Sequence, residues 1–201
     1  MKTRRIIATL ASVLLASCYT PPVVDLAPDI AGNYVLDPAH TSVVWRISHA
    51  GISNYTSRFD DISGTLFFDP LAPQNSRVDI IIDPTSVSTG DAEFDETIAE
   101  SGNYFNAEKY PQIRFISTNI KIMGDNRGLI TGDLTFRGQT KPLVLDVAFN
   151  GAGKSFGHKG KTLGFSATGA FLRSNFGLTT LAGFGIGDEI NLQIETEFNE
   201  N

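Results

Sequence analysis

The last segment of the chain constrains the fold more than any other feature. Between Glu189 and Phe198 apolar and polar residues alternate, with a single threonine on the apolar face. Ile190, Leu192 and Ile194 thus share one side, and acidic and amide residues share the other. Successive side chains of a β-strand point to opposite faces, so this pattern is typical of an antiparallel strand with one buried and one wet face. Such a strand needs a sheet to bury it.

The same alternation recurs from Asn33 onward, in segments separated by turns containing Gly, Asn, Asp and Pro. Many short alternating segments predict an all-β barrel or sandwich. We expect one of these strands to run from Phe59 through Phe68. The residues predicted to face inward from strands are Val43, Trp45, Ile47, His49, Phe59, Leu66, Phe68, Ile80, Ile82, Phe115, Leu134, Phe136, Leu145, Val147, Phe165, Phe171, Leu192 and Ile194.

One stretch breaks the strand pattern. Asp91 can cap a short helix, Phe94 and Ile98 lie four residues apart and therefore share a face, and Gly102 is a suitable stop. We expect this helix to cover one end of a barrel.

Composition leaves the interior undecided. The chain has 14 Phe and 19 Gly. Aromatic side chains can fill a small barrel or line a slot for a long apolar ligand, and about eight strands is the size at which both occur. The residues alone leave a filled core and a ligand cavity equally open.

The amino terminus predicts export. Three basic residues precede an apolar run from Ile6 to Leu15, which is too short to span a bilayer, so residues 1–17 are typical of a signal peptide. Leu15-Ala16-Ser17-Cys18 resembles the lipobox of bacterial lipoproteins, in which the cysteine carries acyl chains such as palmitate. The alternative is an ordinary signal peptide that leaves a free thiol. We expect residues 18–32 to be a flexible tether and residues 33–201 the barrel.

Charge limits the partners. The leader carries three of the 16 basic residues and none of the 22 acidic ones, so the remaining chain has a formal charge of −9. This balance disfavours nucleic acid and anionic lipid surfaces. Membrane contact is therefore expected through N-terminal acyl chains. Because Tyr19 follows the cysteine, we expect the periplasmic face of the outer membrane. The sequence leaves open whether the chain forms a homodimer.

Several motifs together resemble the YceI-like family of exported, lipocalin-like proteins. The resemblance covers nearly all of residues 33–198 and depends on the order and spacing of six segments. They are Tyr34–Ser42 (YVLDPAHTS), His49-Ala50-Gly51, Phe105–Pro111 (FNAEKYP), Gly132–Pro142 (GDLTFRGQTKP), Arg173–Gly177 (RSNFG) and Gly187–Ile190 (GDEI).

The resemblance implies an eight-stranded antiparallel barrel with a short helix over one end. It also implies a tunnel that holds a polyisoprenoid or quinone-type lipid, with Phe94, Ile98, Phe105, Arg173 and Phe176 added to the inward-facing residues as its wall. No cofactor other than that lipid is expected. Many relatives carry Arg-Asp and then His-Leu in the helix, where this chain has Phe94-Asp95 and Thr97-Ile98. This difference favours a neutral lipid head over a charged one. The segment RSNFG also departs from the family motif, because Asn175 stands where the motif usually has an aspartate.

We expect binding, transport or storage of the lipid, without catalysis. No nucleophile motif or phosphate loop is present, and His40, His49 and His158 lack metal-ligand spacing. We interpret Arg173 as an ion-pair partner of a nearby acid or as a contact for the lipid head. Two alternatives remain: an enzyme that uses His49 or Arg173 on an isoprenoid-type lipid, and a structural lipoprotein with a filled barrel.

Overall fold

The computed structural model describes residues 26–124, 126–154 and 157–201. The predicted signal peptide, Cys18 and the first part of the tether lie outside these residues. In chain order, the strands and the α-helix of the described residues are β1 Gly32–Leu36, β2 Ser42–His49, β3 Ser53–Phe59, β4 Ile62–Phe68, β5 Arg77–Ile82, β6 Val87–Ser88, α1 Ala92–Glu100, β7 Ile113–Gly124, β8 Arg127–Phe136, β9 Gln139–Gly153, β10 Thr162–Leu172 and β11 Ile186–Glu200. Within the described ranges, no helix is both long and apolar enough to cross a membrane.

The described strands close into an antiparallel barrel of eight strands, three of which are interrupted. β1 and β2 both pair with β11. On their other side, β1 pairs with β4 and β2 pairs with β3. Next, β4 pairs with β5 and β3 pairs with β6, and β5 also pairs with β7. The strands β7 to β11 continue as neighbours in chain order, and the pairing of β1 with β11 closes the ring. The predicted fold is confirmed.

Two of the three interruptions are Asp-Pro turns. The carboxylates of Asp37 and Asp83 accept hydrogen bonds from the backbone N–H two residues later, at 2.9 and 2.8 Å. Proline follows each aspartate and has no N–H to give to a strand ladder, so a single 3-10 turn forms there. The third interruption is Asp60-Asp61. The strand predicted to begin at Phe59 in fact begins at Ser53 and is interrupted just after Phe59, and its second part ends at Phe68 as predicted.

The two ends of the barrel differ. At the lower end, β1 begins and β11 ends; at the upper end lie α1, the turn after β2 and the connection between β10 and β11. The chain enters at the lower end, where Ile30 is 4% exposed and its carbonyl accepts a hydrogen bond from the hydroxyl of Tyr34 at 2.8 Å. The described part of the expected tether, residues 26–32, therefore includes a segment that packs on the barrel.

Helix α1 forms where the sequence predicts it. The carboxylate of Asp91 accepts hydrogen bonds from the backbone N–H groups of Glu93 and Phe94, and the helix ends one residue before its cap Ser101. Ile98 is 3% exposed, and Phe94 is half-buried. The apolar face of the helix thus lies against the barrel interior.

Candidate functional site

The barrel encloses an apolar cavity of about 360 Å³, within the range of about 300–1,000 Å³ usual for small-molecule sites. Strand β11 lines it from Ile186 to Phe198. At about 3.3 Å per residue these positions span roughly 40 Å of strand, or about 30 Å along the axis of a barrel whose strands tilt by about 40°. The cavity is therefore long compared with its volume, so it is narrow.

The lower end is filled by four phenylalanines, which we call the lower cluster: Phe68, Phe149, Phe165 and Phe198. Their ring centroids lie 5.3–6.0 Å apart along four contacts. Phe165 and Phe198 form part of the cavity wall, whereas Phe68 and Phe149 lie behind them. The lower cluster is thus the floor of the cavity.

A second group of four phenylalanines, the upper cluster, packs near the upper end: Phe105, Phe136, Phe171 and Phe176. Phe136 contacts the other three at centroid distances of 5.4, 6.4 and 5.6 Å. Phe176 is 2% exposed and lies behind Phe136 and Phe171, away from the cavity. This cluster forms a packed aromatic layer on one side of the upper wall.

The cavity opens at the upper end. Its wall there includes the exposed residues His49 and Leu181 and the half-buried residues Tyr55 and Tyr104. Phe94 of α1 packs between the two tyrosines at centroid distances of 6.0 and 6.2 Å. The helix therefore covers part of the opening with an aromatic side chain.

Arg173 on the upper wall is 3% exposed, and all its described hydrogen bonds go to backbone carbonyls. Its guanidinium donates to the carbonyl oxygens of Gly187 at 2.7 Å, Leu178 at 3.1 Å, Thr180 at 2.7 Å and Ile186 at 3.3 Å. Within the described residues Arg173 forms no ion pair, so the predicted pairing with a nearby acid is not found there. The acid next to it in space, Asp188, instead accepts from the backbone N–H and hydroxyl of Ser174 at 3.0 and 2.7 Å.

The threonine hydroxyls of the wall also have protein partners. The hydroxyls of Thr41 and Thr196 hydrogen-bond to each other at 3.0 Å. Among the buried polar atoms of the wall in the described residues, Nε1 of Trp45 is the one without a hydrogen-bond partner. The resulting surface can bind an apolar chain along most of its length.

The structure brings nearly all of the predicted wall residues together. Phe68 and Phe176 do not reach the cavity, because they form the outer layers of the lower and upper clusters. Their ligand-binding role stays a prediction. The predicted residues that do line the cavity are Val43, Trp45, Ile47, His49, Phe59, Leu66, Ile80, Ile82, Phe94, Ile98, Phe105, Phe115, Leu134, Phe136, Leu145, Val147, Phe165, Phe171, Arg173, Leu192 and Ile194.

Sequence reasoning missed wall residues of two kinds. The first kind lies on the alternating strand faces that the sequence pattern already indicates, but was not assigned to the cavity wall: Ile62, Val78, Ile113, Ile130, Leu143, Ala167, Ile190, Thr196 and Phe198. The second kind lies in turns, in the loop after α1, at strand ends or in β3, where the sequence shows no such period: Leu36, Thr41, Tyr55, Tyr104, Leu178, Thr180, Leu181 and Ile186.

The histidines do not converge. His49 lies at the upper end and His158 at the lower end. His40 lies outside the cavity with Asp37 and Glu197, and in the described ranges these three form one group whose potential ligand atoms lie within 4.8 Å of one another. The carboxylate of Asp37 already accepts hydrogen bonds from His40 at 3.0 Å and Asn199 at 2.9 Å. The hydrogen bond from His40 holds the pKa of Asp37 below its usual value, and the same bond raises the pKa of His40. This group therefore acts as a structural contact between the β1–β2 turn and β11.

Comparisons with known proteins agree with this geometry. Residues 34–198 match the model of the YceI-like domain. The chain is 38% identical over 171 residues to Protein YceI of Escherichia coli strain UMN026, covering 84% of this chain and 87% of that protein. It is 37% identical over 152 residues to a UPF0312 protein of Pseudomonas savastanoi pv. phaseolicola, covering 74% and 78%.

Solved structures have the same barrel. A crystal structure of the Campylobacter jejuni YCEI protein matches with a TM-score of 0.66 at 33% identity, covering 77% of this chain and 90% of that one. A polyisoprenoid binding domain from Saccharophagus degradans, implicated in plant cell wall breakdown, matches with a TM-score of 0.59 at 14% identity, covering 85% and 99%. The second likeness shows the fold alone.

Proposed function

The chain belongs to the YceI-like family, and we propose that it binds, carries or stores a long apolar lipid of polyisoprenoid or quinone type inside the barrel, without catalysis. The observation that carries this proposal is the narrow cavity, whose wall is almost wholly apolar and runs along most of β11. The name of the Saccharophagus degradans domain gives the same ligand class for a similar barrel.

The energetics suit a flexible hydrocarbon chain. Each methylene transferred from water to the cavity stabilises the complex by about 0.8 kcal/mol, so ten of them contribute about 8 kcal/mol. That gain corresponds to a dissociation constant of roughly 1 μM before the entropic costs of binding are subtracted. A lipid with several isoprene units can therefore bind tightly without a polar contact along its tail.

The wall argues against the two alternatives. Of the two groups considered for an enzyme, the guanidinium of Arg173 is already engaged, because it donates to four carbonyls, which leaves His49 at the opening as the single remaining candidate of that hypothesis. A filled barrel would leave no cavity, yet only the lower end is packed solid by the lower cluster. A binding protein fits the arrangement better than either.

The binding proposal is tested by native mass spectrometry and by organic extraction of protein purified from its own host. We expect a lipid of prenyl or quinone type in a one-to-one complex. Recovery of no lipid, together with failure of the delipidated protein to bind farnesyl-chain compounds, would overturn the proposal.

We also propose that the protein is exported and anchored through acyl chains on Cys18. The chain enters the barrel at the lower end, so such an anchor lies on the side opposite the opening. Residues 18–25 span at most about 25 Å when extended at about 3.1 Å per residue. Because the anchor and the opening lie at opposite ends of the barrel, we expect the opening to face away from the anchoring membrane. Replacement of Cys18 by alanine should move the protein from the membrane fraction to the soluble fraction and leave its bound lipid unchanged; continued membrane association would contradict the anchor.

A further inference from the structure

Two turns at the upper end of the barrel expose an apolar surface beside the cavity opening. The turn after β2 has the sequence Ala50-Gly51-Ile52, and the connection between β10 and β11 includes residues 181–187 with the sequence LAGFGIG. None of these ten residues has a polar side chain. Ile52 and Phe184 are 87% and 80% exposed, the highest values among the large hydrophobic residues of the described chain, and Leu181 is 44% exposed. We call residues 50–52 and 181–187 the apolar tip.

The two turns of the apolar tip hold each other in place. The backbone N–H of Ala50 donates a hydrogen bond to the carbonyl of Gly185 at 2.8 Å. A backbone hydrogen bond of 3.0 Å closes the turn after β2, and φ is positive at both of its central residues, as in a type I′ turn. In the other turn the N–H of Phe184 donates to the carbonyl of Leu181 at 2.9 Å. The exposed apolar side chains therefore project from a hydrogen-bonded platform.

The apolar tip is continuous with the wall of the cavity. Leu181 and Ile186 of the tip both line the cavity, as does His49, the residue before the first turn of the tip. A lipid that enters through the opening therefore passes beside the tip. Transfer of a long apolar lipid through water is strongly unfavourable, because every methylene would have to be hydrated on the way. Direct contact between the opening and a bilayer avoids that step.

The size of the apolar tip favours a bilayer over a protein partner. A stable protein–protein interface contains about 20–30 residues on each side, whereas the tip has ten residues, four of which are glycines. Glycine offers no side chain that could interlock with a protein surface. Aromatic and aliphatic side chains on a small protrusion instead suit the interfacial layer of a bilayer, where such side chains are buried at the level of the head groups.

The charges at the upper end favour a bilayer without net charge. Helix α1, which covers part of the opening, has three exposed glutamates and no basic residue. The loop after it is joined to the start of the tip, because the hydroxyl of Thr180 donates to the carbonyl of Asn103. Two basic residues at this end, Lys109 and Arg137, lie against the ring of Tyr110, at 5.2 and 6.0 Å from its centroid. Anionic head groups would repel the acidic helix, whereas zwitterionic ones would not.

We propose that the apolar tip docks on the surface of a bilayer of zwitterionic lipids, with the side chains of Ile52, Leu181 and Phe184 in its interfacial layer. Lipid then passes between the bilayer and the cavity without crossing water. This inference rests on the proposed lipid-binding function and adds the surface through which the ligand is loaded. The proposed anchor at Cys18 lies at the opposite end of the barrel, so the bilayer that the tip contacts is not the one that holds the anchor.

The test compares the full chain carrying Cys18→Ala, which removes the proposed anchor, with two double variants of it. Ile52→Ser with Phe184→Ser removes the two most exposed side chains of the tip. Leu71→Ser with Met123→Ser is the matched control, because these residues are 73% and 55% exposed and lie at the lower end. Binding to phosphatidylcholine vesicles is measured by flotation. Uptake of farnesylacetone, a prenyl ketone added without vesicles, is measured by native mass spectrometry.

We expect the tip variant to bind these vesicles at least about tenfold more weakly than its parent, since burial of one large apolar side chain changes affinity by about a factor of ten or more. The control variant should bind like the parent. All three chains should take up farnesylacetone in a one-to-one complex. Replacement of part of the phosphatidylcholine by phosphatidylglycerol should weaken vesicle binding at low salt, and high salt should remove that effect.

The outcomes are distinct. Unchanged vesicle binding in the tip variant, or an equal loss in the control variant, would overturn docking through the tip and leave lipid binding intact. Stronger binding to vesicles with phosphatidylglycerol would overturn the choice of a zwitterionic bilayer. A dimeric parent that becomes monomeric in the tip variant would assign the tip to a second copy of the chain and overturn the proposal. If no chain takes up farnesylacetone, the lipid-binding function itself is overturned. If the double variant fails to fold, Phe184→Ser alone decides the question.

Discussion

Replacement of Arg173 by methionine should destabilise the barrel strongly, although Arg173 forms no described ion pair. The guanidinium holds the carbonyls of Leu178, Thr180, Ile186 and Gly187 and so fixes the connection between β10 and β11 against the upper wall. Methionine matches only the aliphatic part of the arginine side chain and has no donor, so all four carbonyls would lose this partner.

The magnitude follows from the contacts. A hydrogen bond from a charged donor contributes about 1.5–3 kcal/mol, and four such bonds set an upper bound. Each buried carbonyl left without a donor costs about 1–3 kcal/mol, and part of this is recovered when the connection moves and water reaches the carbonyls, so we expect a loss of about 3–5 kcal/mol in the free energy of unfolding. Folded domains are stable by about 5–15 kcal/mol, so the variant should fold with little stability to spare.

Arg114→Met is the matched control. Arg114 makes a two-point contact with Asp79 on the outer surface, where the two side chains are 44% and 34% exposed. An exposed pair of this kind is worth about 0–1 kcal/mol.

Urea unfolding of both variants measures the difference. Hydrogen exchange should also accelerate at the amides of Leu178 and Ile186, which hydrogen-bond within this connection, in Arg173→Met only. If Arg173→Met lost less than about 1 kcal/mol, like the control, the reasoning that carbonyl contacts stabilise the upper wall would be refuted.

Three further predictions concern the floor, the cavity and the outer surface. In lipid-free protein Phe68→Ala should lower the free energy of unfolding in urea by about 3–5 kcal/mol, because Phe68 is packed behind the floor. Phe165→Ala should lower it less, because one side of Phe165 faces the cavity. Equal losses in the two variants would contradict the cavity. Ala167→Phe, on the wall, should reduce the lipid retained in native mass spectrometry with little change in the urea midpoint, and undiminished lipid would count against the site. The hydrogen bond from Arg114 lowers the pKa of Asp79 below 3.8, so this contact stabilises the fold above that pH and is lost as the pH falls through the lowered pKa. The difference in unfolding free energy between wild type and Asp79→Asn should therefore be present at pH 6 and vanish in acid. A difference that persists in acid would contradict this.

Local patterns of the sequence determined much of the architecture. The alternation along β11, β2 and β9 predicted antiparallel strands and their inward faces, because the side-chain period of a strand is set by its own backbone. Helix α1 and its cap at Asp91 were equally local, since a cap acts within three residues. The strand count and the closed ring came from the resemblance to relatives.

Only the tertiary structure decided how deep in the barrel each inward residue lies and which groups meet there. A period of two assigns a side chain to a face but not to a level, so the sequence could not place Phe68 behind the floor while Leu66 lines the cavity. Closure of the ring and the position of α1 bring Trp45 into one row with Tyr104, far along the chain. Arg173 finds its carbonyl partners through a turn that has no sequence period. That Nε1 of Trp45 has no hydrogen-bond partner among the described residues likewise follows only from the placement of its neighbours.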